Sequence, residues 1–220
     1  MSVAPLETLE IETAPGPQAS ILWMHGLGAD GNDFAPLVDE IDLPVGVRYI
    51  FPHAPMMPVS INGGFVMRAW YDISDAAIRR EDEAGVRASQ RLVEQLIARE
   101  KSRGIAANRI VLAGFSQGGA IALQTGLRHD ERLAGVMALS TYVPLADQLA
   151  KEANPANRGL PIFMAHGTAD PMIALARAQI SRDLLLAQGY ALEWHEYRMQ
   201  HAVCPQEIAA IGVWLRRVLA

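Results

Sequence analysis

Residues 109–127, RIVLAGFSQGGAIALQTGL, constrain this chain more than any other stretch. They set Gly114-Phe115-Ser116-Gln117-Gly118 between one apolar run with strand character and a second with helix character. A G-x-S-x-G in that context forces a sharp strand-to-helix turn, with the serine in a strained backbone conformation and glycines two before and two after leaving room for it. Gly119 adds further clearance. Such a turn lifts the Ser116 hydroxyl above the end of a sheet. It also leaves the Gln117 N–H, at the start of the new helix, free to bind negative charge. A glycine-rich turn with an incidental serine is the plainer reading, and the strand and helix on either side argue against it.

The remainder of the chain repeats the same alternation of short apolar runs and amphipathic stretches, the pattern of a mostly parallel sheet with helices on both faces. The spacing predicts strands at 20–25, 47–52, 109–115, 133–140, 161–167 and 191–198, with LETLEIET (6–13) as an edge strand. Helices are predicted at 81–103, 173–188 and 205–219. Segments 55–75 and 140–161 read as long irregular loops, which in α/β domains tend to form lids or binding loops. No repeat, low-complexity tract or linker divides the 220 residues, so residues 1–220 are expected to form a single domain.

Charge excludes several classes of function. Nineteen basic against 24 acidic residues give a net charge of −5, with no basic block to neutralise a row of phosphates, so nucleic acid is not an expected partner. The N-terminus lacks a signal-peptide pattern and no segment is apolar enough to span a membrane; a soluble, cytoplasmic protein is expected. The lone Cys204 precludes an intrachain disulfide and any cysteine metal cluster. H-E-x-x-H and related spacings are absent, and neither a metal nor an organic cofactor is expected.

A serine hydroxyl needs a base, and the base needs an acid to hold its tautomer. HGTADPMI supplies Asp170 just after an apolar strand, 54 positions beyond Ser116, and Asp147 is the rival kept. Asp183 reads as a solvated helix face. Of six histidines, His25, His53 and His129 stand in a glycine loop, at a strand end and in a charged helix end. His166 looks like a brace for the Asp170 turn, and His195 lies inside a strand. Only His201 follows the acid in a loop that leads into a helix. The order Ser116, Asp170, His201 is that of an α/β-hydrolase.

HGLGADGNDF (25–34) contains a G-x-G-x-x-G, but the second strand ends in VRYIFPHAP without the carboxylate a dinucleotide site needs. The loop fits better as the source of a second oxyanion donor, for which Leu27, between Gly26 and Gly28, is the natural N–H.

Together HGLGADGNDF, FPHAP, MRAWYDI, GFSQGGA, HGTADPMI and HAVCPQEI, in order and in approximate spacing, resemble the small bacterial carboxylesterases grouped with acyl-protein thioesterases and lysophospholipases. The resemblance covers most of the chain. It implies an α/β-hydrolase fold without a large lid domain, Ser116 as nucleophile, Asp170 and His201 as its partners, and Leu27 and Gln117 as oxyanion donors. It also places Trp70 and Tyr71 at the mouth of the site. Gln200 departs from the family's usual glycine before the histidine. Met56, Met57, Val66, Met67 and Trp70 either line an acyl pocket or belong to the core. The expected activity is hydrolysis of short- to medium-chain acyl esters through an acyl-enzyme. Acyl-protein thioesterase or lysophospholipase activity is the alternative, and a catalytically silent binding protein a remote one. The apolar 55–75 surface could also serve as a homodimer contact.

Overall fold

A strand covered on both faces must be apolar at nearly every position, and this chain's uninterrupted apolar runs meet that demand. The computed structural model describes residues 5–75 and 81–220. Its strands are β1 (Thr8–Glu12), β2 (Ala19–Met24), β3 (Val47–Pro52), β4 (Met56–Val59), β5 (Phe65–Arg68), β6 (Ile110–Phe115), β7 (Gly135–Leu139), β8 (Pro161–Gly167) and β9 (Ala191–Tyr197). Seven form one sheet in the order β1-β3-β2-β6-β7-β8-β9. The edge strand β1 runs antiparallel to β3, and the other neighbours are parallel.

The helices are α1 (Glu83–Ser102), α2 (Gln117–Gly126), α3 (Leu149–Glu152), α4 (Leu175–Ala187) and α5 (Pro205–Val218). Period-two alternation divides the core between the two faces of the sheet. Leu22, Leu112, Val136 and Ile162 point to one face, where Val93 of α1, Ile121 of α2 and Leu185 of α4 cover them. Trp23, Val111, Met137 and Phe163 point to the other, under Ile211, Trp214 and Leu215 of α5 and the short turn that carries Phe34 and Val38. Among the described residues no helix is long and apolar enough to cross a membrane.

Two boundaries shift from the spacing for local reasons. α1 starts at Glu83 because Asp82 caps it, its carboxylate accepting the Gly85 N–H at 2.9 Å. α4 starts at Leu175, not 173, because the Asp170 carboxylate accepts the Met172 and Ile173 N–H groups. Segment 55–75, expected to be irregular, contains the β4–β5 hairpin. Its turn runs through Asn62-Gly63-Gly64, with Gly63 at φ 66° and Gly64 at φ 80°. Segment 140–161 contains the single turn of α3.

Candidate active site

The site lies at the carboxyl ends of the central parallel strands, where loops leave the sheet. β6 delivers Ser116 at φ 55°, ψ −121°, and α2 starts at the next residue. The Ser116 N–H donates to the Leu139 carbonyl at 2.9 Å, and its own carbonyl accepts from the Thr141 hydroxyl at 2.7 Å. Those bonds to the end of β7 and its loop hold the strained residue in place. A Cβ on Gly114 would run into the Gly118 backbone, and one on Gly118 into the Met24 carbonyl. The glycines of the motif are there for close approach of backbones.

β8 delivers Asp170. Its Oδ1 accepts the Met172 and Ile173 N–H groups at 2.8 and 2.9 Å, which turns Oδ2 toward His201 Nδ1, 2.7 Å away. The His201 Nε2 lies 2.9 Å from the Ser116 Oγ. A carboxylate on Nδ1 requires a proton there, so Nε2 carries the lone pair and faces the serine hydroxyl. The Asp170 side chain is fully buried and that of His201 is 18% exposed, so the carboxylate is sheltered and the base opens to the cleft. His201 rests on the Phe115 ring, centroids 4.7 Å apart. Gln200 does not adopt a positive φ, so the family's glycine is not required for this loop geometry.

The other candidates lie elsewhere. His166 is buried, and its Nε2–H donates to the Ile173 carbonyl at 2.8 Å. The Asp170 Oδ2 lies farther off, at 3.4 Å, and burial holds the imidazole pKa below its usual value, so this contact is not an ion pair. It braces the acid's loop, as the sequence suggested. His195 stacks on Phe163 within β9. Asp147 is exposed and Asp183 pairs with Arg182.

Leu27 and Gln117 both border the cleft beside Ser116. Among the described residues neither main-chain N–H meets an acceptor. Two groups fix the Leu27 loop. His25, kept neutral by burial, accepts the Ala54 N–H at Nε2 (3.0 Å) and donates from Nδ1 to the Gly26 carbonyl (2.7 Å). Trp70 donates its indole N–H to the His25 carbonyl at 2.9 Å. The Gln117 side chain closes the circuit, accepting the Trp70 N–H and donating to the Tyr71 carbonyl.

Trp70 does not stand at the mouth: it is buried behind the loop and does not border the cleft. Its indole finds both a buried acceptor and a ring neighbour in His25, which hold it behind the loop. Met56 and Val66 are exposed on the hairpin away from the cleft, and Met57 does not border it either. Met67 and Tyr71 do line the cleft, a cavity of about 480 Å³. Ile61, Tyr142 and Met172 line it too and were not singled out from the sequence. Tyr142 meets Tyr71 hydroxyl to hydroxyl at 2.8 Å. The only hint of it was its place in a long loop following a strand. A groove of about 580 Å³ beside β1, bordered by Glu12, Asp39 and Asp42, has no serine or histidine in its lining. His129, Asp130 and Glu131 bring metal-ligand atoms together on the surface, but His129 Nδ1 is taken by Glu94 at 2.7 Å.

Comparison with known proteins identifies the family of the chain. The phospholipase/carboxylesterase family model matches residues 7–219. An acyl-protein thioesterase 1 from Gibberella zeae is 36% identical, over 100% of this chain and 98% of that protein. One from Neurospora crassa is 40% identical, over 90% of this chain and 85% of that protein. The crystal structure of Zea mays acyl-protein thioesterase 2 superposes with a TM-score of 0.87 at 29% identity, covering 97% of this chain and 99% of that one. The fold is thus the α/β-hydrolase fold without a large lid. With the match running nearly from end to end, the chain belongs to the phospholipase/carboxylesterase family of serine ester hydrolases.

Proposed function

We propose that this hydrolase removes acyl groups from thioesters, of the kind an S-acylated protein carries, by way of an acyl-enzyme on Ser116. The observation that carries the mechanism is the unbroken line from Asp170 through His201 to the Ser116 Oγ, with spacings of 2.7 and 2.9 Å. His201 takes the serine proton as Oγ attacks the acyl carbon, and Asp170 stabilises the imidazolium. The oxyanion forms against the Leu27 and Gln117 N–H groups, which have no other acceptor among the described residues. His201 then protonates the departing thiolate or alkoxide. Water, activated by the same imidazole, hydrolyses the acyl-Ser116 ester and returns the serine and a carboxylic acid.

Sequence similarity to acyl-protein thioesterases at 36–40% identity moves the substrate reading from short and medium esters to the thioester alternative. The cleft supports it: Ile61, Met67, Ile73, Met172 and Ile173 offer an apolar wall for an acyl chain. Location in the cytoplasm and self-association through the exposed hairpin remain part of the proposal.

The test is a p-nitrophenyl ester series from acetyl to palmitoyl beside a palmitoyl thioester, with Ser116→Ala as control. A kcat/KM favouring the long thioester, abolished in Ser116→Ala, is expected. A maximum at acetyl or butyryl would return the enzyme to the short-chain esterases.

A further inference from the structure

Glu207 is a titratable group that the mechanism above does not use, and its position is unusual. It is 0% exposed, and neither carboxyl oxygen closes a hydrogen bond with any described residue. It occupies the third position of α5, whose N-cap is Cys204 and whose first residue is Pro205. An acid at that position commonly reaches back to the N-cap amide. Here the Cys204 N–H is near enough to draw the pKa down somewhat, but not aligned for a full bond. The titratable group that faces it is Tyr197 of β9, Cys204 of its own segment meets it through the backbone N–H, and no cation among the described residues does. Burial without a counter-charge pushes its pKa up to about 8.

The segment that carries His201 hangs between two anchors. At one end Met199 accepts the Ala169 N–H and packs with Gln200 over Gly167, at the end of β8. At the other end the chain enters α5 through Cys204, whose carbonyl accepts the Ile208 N–H. Glu207 sits inside that second anchor, six residues from His201.

We infer that Glu207 is a positioning residue for the reaction: only as a neutral carboxylic acid can it stay buried without a partner, which leaves the first turn of α5 seated against the domain, and through residues 201–204 that turn keeps His201 aligned with Ser116 and Asp170. When the proton leaves to water, the unpartnered carboxylate draws that turn toward solvent, and His201 loses its alignment. The inference rests on the Ser116–His201 mechanism proposed above.

The test is the pH profile of kcat/KM from pH 6.5 to 9.5, corrected for spontaneous hydrolysis, for the wild type, Glu207→Gln and Glu207→Met. The methionine variant serves where a buried amide prevents folding. The wild type is expected to lose about tenfold by one pH unit above the midpoint, in kcat and not in KM. Both variants should lose less than about twofold over the same range. Melting temperature gives a second readout. The folded pKa lies above the unfolded one, so the stability present below pH 4.5 is lost as the pH rises through about 8, and the variants should lack this decline. A wild-type profile flat to pH 9.5, or an alkaline fall that both variants retain, overturns the inference. Turnover that survives Ser116→Ala would instead contradict the catalytic reading, so the two failures are distinguishable.

Discussion

At the scale of single residues, the site works because each group is held by partners that suit only one protonation state or one rotamer. Asp170 has both oxygens committed, Oδ1 to two backbone amides and Oδ2 to His201. Asp170→Asn presents an amide where His201 Nδ1–H needs an acceptor, and favours the wrong imidazole tautomer. We expect kcat to fall by three to four orders of magnitude with little change in melting temperature, checked by steady-state kinetics beside thermal denaturation. Trp70 acts one step further back. Trp70→Phe removes the donor to the buried His25 carbonyl, at a cost of about 1–3 kcal/mol in stability. It also loosens the loop that presents Leu27, so kcat should drop about tenfold with KM nearly unchanged. A KM effect alone would mean that Trp70 contacts substrate after all. The sequence made Ser116, Asp170 and His201 legible because each must follow a strand in a fixed order. Trp70 was misplaced because WYD marks proximity to a site without saying which ring faces it. Tyr142 left no mark, because its role depends on the Tyr71 hydroxyl 71 positions away.

At the scale of elements, the nucleophile turn and the β4–β5 hairpin use glycine for different reasons, and substitution separates them. Gly63 stands at φ 66° with open space around it, so Gly63→Ala should cost only about 1 kcal/mol of backbone strain and leave activity intact. Gly118→Ala forces a methyl group into the Met24 backbone, with no side chain free to yield. A loss of upwards of about 4 kcal/mol is expected, visible as failure to fold or a sharply lower urea midpoint. The central strands were legible because burial on both faces leaves an unbroken apolar run. The hairpin was not, because Met56, Phe65 and Val66 are exposed and Pro58 interrupts the pattern. Its Asn62-Gly63-Gly64 turn was the signal that could have found it. The helix ends were off by two residues where side chains, Asp82 and Asp170, took the amides that would have extended them.

At the scale of the whole molecule, Glu100 ties the long helix α1 to the edge of the sheet. It is fully buried, and its carboxylate accepts from the Ser20 hydroxyl at 2.7 Å, Arg48 at 2.8 Å and Arg103 at 3.1 Å. Arg48 also reaches Glu12 on β1. Glu100→Ala leaves the largely buried Arg48 with half its charge pairing, and a loss of about 3 kcal/mol is expected from urea unfolding, with activity per folded molecule unchanged. This network was not read from the sequence, since its members lie 52 and 80 positions apart. The two-sided core, by contrast, follows from alternation along β2, β6, β7 and β8 alone. All of this framework serves to hold one hydroxyl against one imidazole. A fluorophosphonate probe should label the wild-type protein once, with peptide mass mapping placing the adduct on Ser116 and hydrolysis lost in proportion to labelling. An adduct elsewhere, or hydrolysis that survives full labelling of Ser116, would mean that Ser116 is not the nucleophile.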